Sequence, residues 1–289
     1  MRDSLNGVGM RLSIDGLKTW VAEQALMPRL REGGTRLLDA LYPRQALNHD
    51  PDLRNSAGVK DAVQAGGLTA DDWSAIRFLT GQGCDMCARP FEGGVFLGAG
   101  ALCEGCTQKP FPFRRGRAAC LYTEASKGLI LAFKHADRLD LRPILSGWLS
   151  RAGAELMEKV DVIVPVPLHW RRLFQRRYNQ AAELARPLAR QYQKDFVPDA
   201  LIRQRATSVQ FSRARTARGR REDRFENVKG AFVVTASGAR RLRGRRVLLV
   251  DDVFTSGATL TACAKALREA GVREVDVLVL ARAVPAAEV

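Results

Sequence analysis

The sequence predicts an α/β protein whose largely parallel sheet is covered by helices on both faces, preceded by a small metal-bound module. Apolar runs lie at Val160–Pro167, Arg246–Val250 and Val275–Ala281. Such runs, rich in β-branched residues, are typical of strands buried on both faces. Segments with helical apolar spacing alternate with them, which favours parallel strands joined by helices. Two pairs of cysteines come before the first run.

The cysteine pairs have the spacing of a zinc ribbon. The stretches "CDMC" and "CEGC" give C-x-x-C, fifteen residues and C-x-x-C, with Cys84, Cys87, Cys103 and Cys106 as the candidate ligands. Four thiolates complete a tetrahedron, so the predicted Zn²⁺ is structural and leaves no position for water. A dithiol redox pair is the lesser alternative, because redox chemistry needs only one pair.

The elements after residue 120 follow in alternating order. Helical apolar spacing marks "TEASKGLILAFKHA", "LRPILSGWLSRAGAELM" and "NQAAELARPLARQY". A further helix is predicted from about Ala258 to Ala270, where Gly271 closes it. This helix and the strands on either side of it form a β-loop-α-β unit.

The composition favours a folded protein with an anionic partner. Of 289 residues, 46% are hydrophobic, which is enough to bury a core and argues against disorder throughout. The 46 Lys and Arg exceed the 31 Asp and Glu by a formal charge of +15, which suits a polyanion or a phosphorylated ligand. A basic protein without such a partner stays the alternative.

No part of the sequence predicts membrane insertion. No run reaches the roughly 20 apolar residues that a spanning helix needs. Charges at Asp15, Lys18, Glu23 and Arg29 interrupt the place where a signal peptide would be apolar. We therefore expect a cytoplasmic protein with its cysteines reduced, metal-bound or buried, and Cys120 and Cys263 in the core.

A loop rich in small hydroxyl residues follows the second apolar run. Parallel strands place such a loop at the carboxyl edge of the sheet, where ligands of open α/β folds bind. Its backbone N–H groups and hydroxyls can converge on a phosphate, and the candidates are Thr255, Ser256, Gly257, Ala258 and Thr259. Asp251 and Asp252 come just before it and suit hydroxyl groups such as a ribose diol. A simple helix cap is the alternative, but it explains only one or two of these residues.

The stretch "VLLVDDVFTSGATL" resembles the phosphoribosyl-pyrophosphate (PRPP) motif of the type I phosphoribosyltransferases. The resemblance implies that the loop holds the ribose 5-phosphate. It also implies that Asp251 and Asp252, the candidate catalytic residues, hold the ribose 2- and 3-hydroxyls. Mg²⁺ would accompany PRPP and bridge its pyrophosphate and ribose.

Three further stretches carry a second resemblance: "VIVPVPLHWRRLFQRRYNQAAELA", "FKHADRLDLRPIL" and "RFENVKGAF". They resemble the ComF family, phosphoribosyltransferase homologues with amino-terminal cysteine pairs, and the resemblance runs from about Leu37 to the end of the chain. It implies that Val164–Pro167 forms a turn facing the pyrophosphate, with Val166 and Pro167 at the ligand. The polar residues implied along the adjoining sheet edge are Arg172, Arg176, Arg177, Asn179 and Gln180, of which Arg177 is the PRPP-binding candidate. Any single one of these arginines could instead belong to a solvated helix start.

Three regions follow from these assignments. Residues 1–80 are a helical lead-in with a degenerate upstream ribbon, 81–115 the zinc ribbon, and 116–289 a type I phosphoribosyltransferase-like α/β domain. Relatives often carry further cysteines upstream, where this chain has Ala46, His49, Thr69 and Asp72. We therefore expect no metal in that first ribbon.

Two functions stay open at this point. The first is PRPP binding or phosphoribosyl transfer with Mg²⁺, to an unidentified base or amine. The alternative is a non-catalytic factor that binds single-stranded DNA during uptake, with DNA-uptake proteins as partners. The segment 203–229 carries nine Arg and Lys against three acids; it could be a hood over the site, a DNA surface or a solvated loop. Its candidate DNA-contacting residues are Arg213, Arg215, Arg218, Arg220 and Arg221.

Overall fold

The computed structural model describes residues 70–79, 83–91, 93, 97–135, 138–205 and 217–284. Most of the expected lead-in, including Ala46, His49 and Thr69, lies outside the described residues, as do Arg213 and Arg215. Within the described ranges, no helix has both the length and the apolar character needed to cross a membrane.

The main sheet has five strands in the order β1-β7-β6-β2-β3, and every neighbouring pair is parallel, as the alternating pattern predicts. The strands are β1 Gly116–Leu121, β2 Val162–Pro165, β3 Asp195–Phe196, β6 Arg246–Phe254 and β7 Glu274–Arg282. Two further strands, β4 Leu201–Arg203 and β5 Phe232–Val234, form a separate antiparallel pair. The sheet order places β6 between β7 and β2.

Helices cover both faces of the sheet. In chain order they are α1 Ala70–Ala75, α2 Glu104–Gln108, α3 Glu124–His135, α4 Arg142–Met157, α5 Trp170–Arg176, α6 Gln180–Gln191, α7 Ala217–Val228, α8 Ala236–Leu242 and α9 Ala258–Glu269. A short 3₁₀ turn, Leu139–Leu141, precedes α4.

The alternating side chains of β6 divide the core into two layers. Val247 and Leu249 belong to one buried cluster together with α9, whereas Leu248 and Val250 belong to another with α3, α4 and α6. Successive strand residues point to opposite faces, so a strand covered on both sides needs apolar residues throughout. Cys263 and Cys120 lie in these two clusters and are fully buried, as expected.

Strand β1 departs from the apolar pattern that identifies its neighbours. All six of its residues are buried, including Arg117, which is 9% exposed. The Arg117 guanidinium forms ion pairs with Asp85 and Glu155, which makes its burial tolerable. Periodicity alone gives no signal for a strand that buries an arginine.

The basic segment contains more regular structure than its sequence suggests. Its second half forms α7, where the sequence shows little apolar periodicity. Val228 is buried and Phe225 packs against the same cluster. These two residues lie three positions apart, so in the part of α7 with described side chains the apolar face is one helical turn long and gives a weak helical pattern.

Candidate functional site

Strand β6 extends further than the apolar run indicates, and this extension carries the acidic pair. Pairing with β2 stops at Val250↔Pro165. Pairing with β7 continues to Phe254↔Arg282. Asp251 and Asp252 therefore lie inside β6 but beyond the end of β2, with a neighbouring strand on one side. They stand at the carboxyl edge of the sheet, where the sequence places them.

The candidate phosphate loop joins β6 to α9. Gly257 has φ +82° and caps α9, which begins at Ala258. A Cβ at this position would lie 2.6 Å from Phe111 Cε1 and 2.8 Å from Phe254 Cε2, so both conformation and packing require glycine. The first N–H groups of a helix have no carbonyl partner within it, and here they border exposed Thr255 and half-buried Ser256 and Thr259. This arrangement suits a phosphate.

The acidic pair is tied to a lysine that the sequence pattern did not single out. Lys134 Nζ, on α3, lies 3.0 Å from Asp252 Oδ1. The Asp252 N–H donates to Asp251 Oδ1 at 2.9 Å. Burial and the charge of Asp252 raise the pKa of Asp251 to about 7, and the charges of Lys134 and Arg203 oppose the rise. The site thus contains one carboxylate paired with a cation and one carboxyl group that titrates near neutrality.

Two residues implied by the resemblance hold the site's framework in place. Asn179 Nδ2 donates to the Val166 carbonyl at 3.0 Å, and Asn179 Oδ1 accepts from Ala181 N–H at 3.1 Å at the start of α6. Buried Gln180 donates from Nε2 to the Lys134 carbonyl at 3.3 Å. These amides therefore fix the positions of the Val166 turn and of α3.

Val166 and Pro167 directly follow β2, and both are buried. Val164 and Pro165, which the resemblance places in one turn with them, belong to β2 itself. The Val166 N–H donates to the Val250 carbonyl at 2.8 Å. Both side chains are therefore part of the packing around the end of β2 and are not exposed to a ligand. Arg177 is exposed and has φ +62°, in the left-handed region that is unfavourable for a β-carbon.

Exposed apolar side chains on α5 are a feature that the sequence pattern did not bring out. Phe174 is 87% exposed, Trp170 64% and Leu173 42%. The stretch "LHWRRLFQRR" contains these apolar residues between its arginines, which is a signal visible in the sequence. Of the DNA-contacting candidates, Arg218, Arg220 and Arg221 fall within α7, on the segment between β4 and β5.

The four cysteines meet at one point. Their Sγ atoms all lie within 4.8 Å of one another, and the Sγ atoms of Cys87 and Cys103 are 3.7 Å apart. Zn–S bonds of about 2.3 Å in a tetrahedron imply S–S separations of about 3.8 Å. Cys84, Cys87 and Cys106 are buried and Cys103 is partly exposed. The donor set and its spacing fit a closed Zn²⁺ site.

Two turns present these thiols. The first is a tight turn in which Cys84 N–H donates to Arg89 O at 2.8 Å and Ala88 N–H to Cys84 O at 2.9 Å. The second is the start of α2, where Cys106 N–H donates to Cys103 O at 2.9 Å. Each C-x-x-C pair therefore points both sulfurs in one direction, as the spacing predicts.

We predict close to one zinc per chain, bound by these four thiols. Cys103→Ser should lower the zinc content sharply, because a hydroxyl is a poor replacement for a thiolate ligand. Elemental analysis of the purified chain measures both. Zinc that is absent, or unchanged by Cys103→Ser, would contradict the assignment; two zinc ions per chain would mean that the upstream residues also bind metal.

The raised pKa of Asp251 predicts a pH-dependent stability. Its ordinary pKa is 3.8 and its folded value is about 7. The folded state therefore holds a proton that the unfolded state has lost between these values, and stability falls as pH rises through this window. Asp251→Asn removes this effect. As pH rises through the window, the free energy of unfolding of the variant should therefore increase relative to that of the unmodified protein by up to about 1.4 kcal/mol per pH unit. Denaturant unfolding at several pH values between 4 and 8 tests this, and a difference independent of pH would contradict it.

Part of the chain matches a known protein domain. Residues 180–288 match the model of the phosphoribosyl transferase domain. The solved "structure of the allosteric regulatory enzyme of purine biosynthesis" is similar at 19% identity and a TM-score of 0.35. The match covers 52% of this chain and 30% of that one.

Curated relatives match a larger share of the chain. Competence protein F of Haemophilus influenzae is 40% identical over 232 residues, covering 66% of this chain and 95% of the relative. DNA utilization protein YhgH of Escherichia coli K12 is 32% identical over 189 residues, covering 62% and 77% respectively. Competence protein ComFC of Bacillus subtilis is 27% identical, covering 68% and 76%. The chain therefore belongs to the ComF family, the family of competence protein F, and contains a phosphoribosyltransferase-type domain.

Proposed function

We propose that the carboxyl edge of β6 binds PRPP or a related ribose phosphate together with Mg²⁺. One observation carries the proposal: an acidic pair beyond the end of β2 lies in the strand that leads into a glycine turn at the start of α9. Carboxylates accept hydrogen bonds from hydroxyls, and helix N-termini attract phosphates. A sugar phosphate carries both groups in one molecule.

Each part of such a ligand has a matching part of the site. Thr255, Ser256, Gly257, Ala258 and Thr259 would hold the 5-phosphate. Asp251 and Asp252 would accept hydrogen bonds from the ribose hydroxyls. Three cations would contact the pyrophosphate: Lys134, whose Nζ lies 3.0 Å from Asp252 Oδ1, Arg203, whose charge acts on Asp251, and Arg177, which is exposed in the segment before α6.

The transfer reaction would occur at C1 of the ribose. A base or amine would form a bond to C1 while the bond from C1 to the pyrophosphate oxygen breaks, and the acceptor would lose a proton. Bound Mg²⁺ would supply charge neutralisation at the pyrophosphate. The chain would hold the ribose and phosphate in position, and the carboxylates would stabilise the positive charge that develops on the sugar. This makes the proposed activity that of a pentosyl transferase.

The acidic pair gives the direct test of this function. Asp252→Asn should weaken PRPP binding by roughly 10- to 150-fold, because a charge-assisted hydrogen bond contributes about 1.5–3 kcal/mol. Isothermal titration with PRPP at fixed Mg²⁺ measures the change. Asp195→Asn is the matched control. Asp195 pairs with Arg245 at 2.7 Å and is the first residue of β3, so it lies at the amino edge of the sheet and not at the carboxyl edge where the site is.

The result also separates a ligand site from a helix cap. If Asp252 is only part of a helix cap, Asp252→Asn lowers the thermal stability of the protein and leaves the PRPP affinity unchanged. If Asp252 belongs to a ligand site, Asp252→Asn lowers the PRPP affinity and leaves the thermal stability unchanged. If the unmodified protein binds neither PRPP nor ribose 5-phosphate in the presence of Mg²⁺, the proposed function is wrong.

Single-stranded DNA is the second candidate ligand, and the surface of α5 favours it. Two exposed aromatic side chains, Trp170 and Phe174, occur in the same short helix as Arg172 and Arg176. Aromatic rings stack on bases while arginines contact phosphates, which is how sequence-tolerant single-strand binding works. Relatives named for competence and DNA utilization, and the net charge of +15, support the same interpretation.

Two sets of variants separate stacking from charge. Phe174→Ala should weaken binding of a single-stranded oligonucleotide by roughly 5- to 150-fold without changing the salt dependence, because stacking contributes about 1–3 kcal/mol per base.

Replacing Arg213, Arg215 and Arg218 with Ala should flatten the log–log salt slope by about 0.7 for each phosphate that the variant no longer neutralises. Fluorescence anisotropy at several salt concentrations measures both. Leu131→Ala, an exposed apolar position on α3, is the control, and a salt slope near zero for the unmodified protein would contradict DNA binding by this surface.

A further inference from the structure

The cysteine module packs against the candidate phosphate loop. The link begins at Arg282, the last residue of β7, which lies opposite Phe254 in the sheet. Arg282 Nε donates to the Cys87 carbonyl at 2.8 Å. Its Nη1 donates to the carbonyls of Phe254 at 3.0 Å and Thr255 at 2.9 Å. One guanidinium thus joins the turn that holds two metal ligands to the first residue of the phosphate loop.

A second link runs through an aromatic side chain. The Phe111 N–H donates to Sδ of Met86, which lies between Cys84 and Cys87, at 3.2 Å. The Phe111 ring stacks on Phe113 with centroids 4.9 Å apart and meets Phe254 edge-on at 5.5 Å. Its Cε1 and Cζ atoms also lie 2.6 Å and 3.0 Å from where a Cβ on Gly257 would be. The glycine turn therefore packs directly against the Phe111 ring.

Both links restrict the same short loop. The Arg282 guanidinium also lies 4.4 Å from the centroid of the Phe254 ring, so Phe254 is held between it and Phe111. Carbonyls that accept from Arg282 cannot rotate freely, and the orientation of a peptide carbonyl fixes the direction of the next N–H group. The N–H groups after Thr255 are those proposed to bind phosphate.

We propose that Arg282 and Phe111 are positioning residues that transmit the order of the metal-bound turn Cys84–Cys87 to the phosphate loop, so that zinc binding and ribose-phosphate binding stabilise each other. This inference rests on the proposed function. Metal binding orders a turn that has little core of its own. Two ligands that favour the same ordered state must raise each other's affinity by the same factor.

The experiment uses the full-length, zinc-loaded protein with PRPP and Mg²⁺ as the probe. Arg282→Gln should weaken PRPP binding on the order of 10-fold while zinc stays at one per chain. Arg282→Lys should not restore affinity, because an ammonium group keeps the charge but cannot bridge three carbonyls in the geometry of a planar fork. A residue that merely attracted the anionic ligand by its charge would be rescued by lysine.

Zinc release provides a readout that is independent of any reaction. A thiol reagent releases the metal, and a chromogenic chelator follows its appearance. PRPP should slow this release on the order of 10-fold in the unmodified protein and have little effect in Arg282→Gln, because the reagent reaches the thiols when the turn opens, and a ligand that stabilises the ordered turn through Arg282 lowers the population of the open form.

Arg115→Gln is the matched control. Arg115 joins the same module to the α/β body through Asp85 at 3.0 Å and Glu155 at 2.8 Å, and neither of these carboxylates belongs to the phosphate loop. This variant should bind PRPP as the parent does, because Arg117 still pairs with both carboxylates. If Arg115→Gln and Arg282→Gln lose the same PRPP affinity, Arg282 acts only through the general stability of the protein, and the inference is wrong.

If Arg282→Gln loses its zinc, Phe111→Leu provides a second test of the link between the cysteine module and the phosphate loop. Leucine keeps the backbone donor to Met86 but removes the ring beside Gly257, so PRPP affinity should fall with zinc retained. Affinities of both variants within twofold of the parent would overturn the inference and leave the proposed function intact. Failure of the unmodified protein to bind PRPP would overturn the proposed function itself.

Discussion

The parallel pairing of β6 with β7 beyond the end of β2 is the constraint on which the site depends. The ladder runs from Arg246↔Glu274 to Phe254↔Arg282, whereas β2 leaves β6 at Val250. Continued pairing keeps Asp251 and Asp252 in extended backbone, and the end of β2 opens the sheet beside them. The same pairing brings Arg282 next to the loop that follows Phe254. The pairing of β6 with β7 therefore positions the two acids, the glycine turn and Arg282.

Charge neutralisation allows the polar parts of this arrangement to be buried. Arg117 occupies a buried position in β1 because Asp85 and Glu155 both pair with its guanidinium. Arg114 pairs at 2.6 Å with Asp276, which is 2% exposed and lies at the other end of β7. Removing one partner of such a pair would leave a buried charge without compensation, which is far more costly than the pair is stabilising. These pairs fix how the cysteine module and β7 meet.

The site itself keeps two carboxyl groups close together at a cost. Burial and mutual repulsion raise the pKa of Asp251, and Lys134 forms an ion pair with Asp252. The position of Lys134 depends in turn on Gln180, which donates to its carbonyl, and on Tyr178, whose hydroxyl donates to the Phe133 carbonyl at 2.6 Å. A ligand with hydroxyl groups and a pyrophosphate would give both the acids and the lysine new partners. This is why the acidic pair supports a ligand site better than a helix cap.

The sequence by itself determined the features that depend on local pattern. Strands β2, β6 and β7, helix α9 with its glycine turn, and the four thiols all follow from apolar runs, residue types or spacing that extend over few residues. Tertiary structure alone decided the rest. Strand β1 buries an arginine whose partners lie far along the chain, and among the α7 side chains that the structure describes only Phe225 and Val228 pack against the core. Lys134, Arg203, Arg282 and Phe111 reach the site because segments far apart along the chain pack around the end of β6. Their roles come from long-range contacts, which no short pattern contains, since each residue alone is an ordinary surface cation or core aromatic.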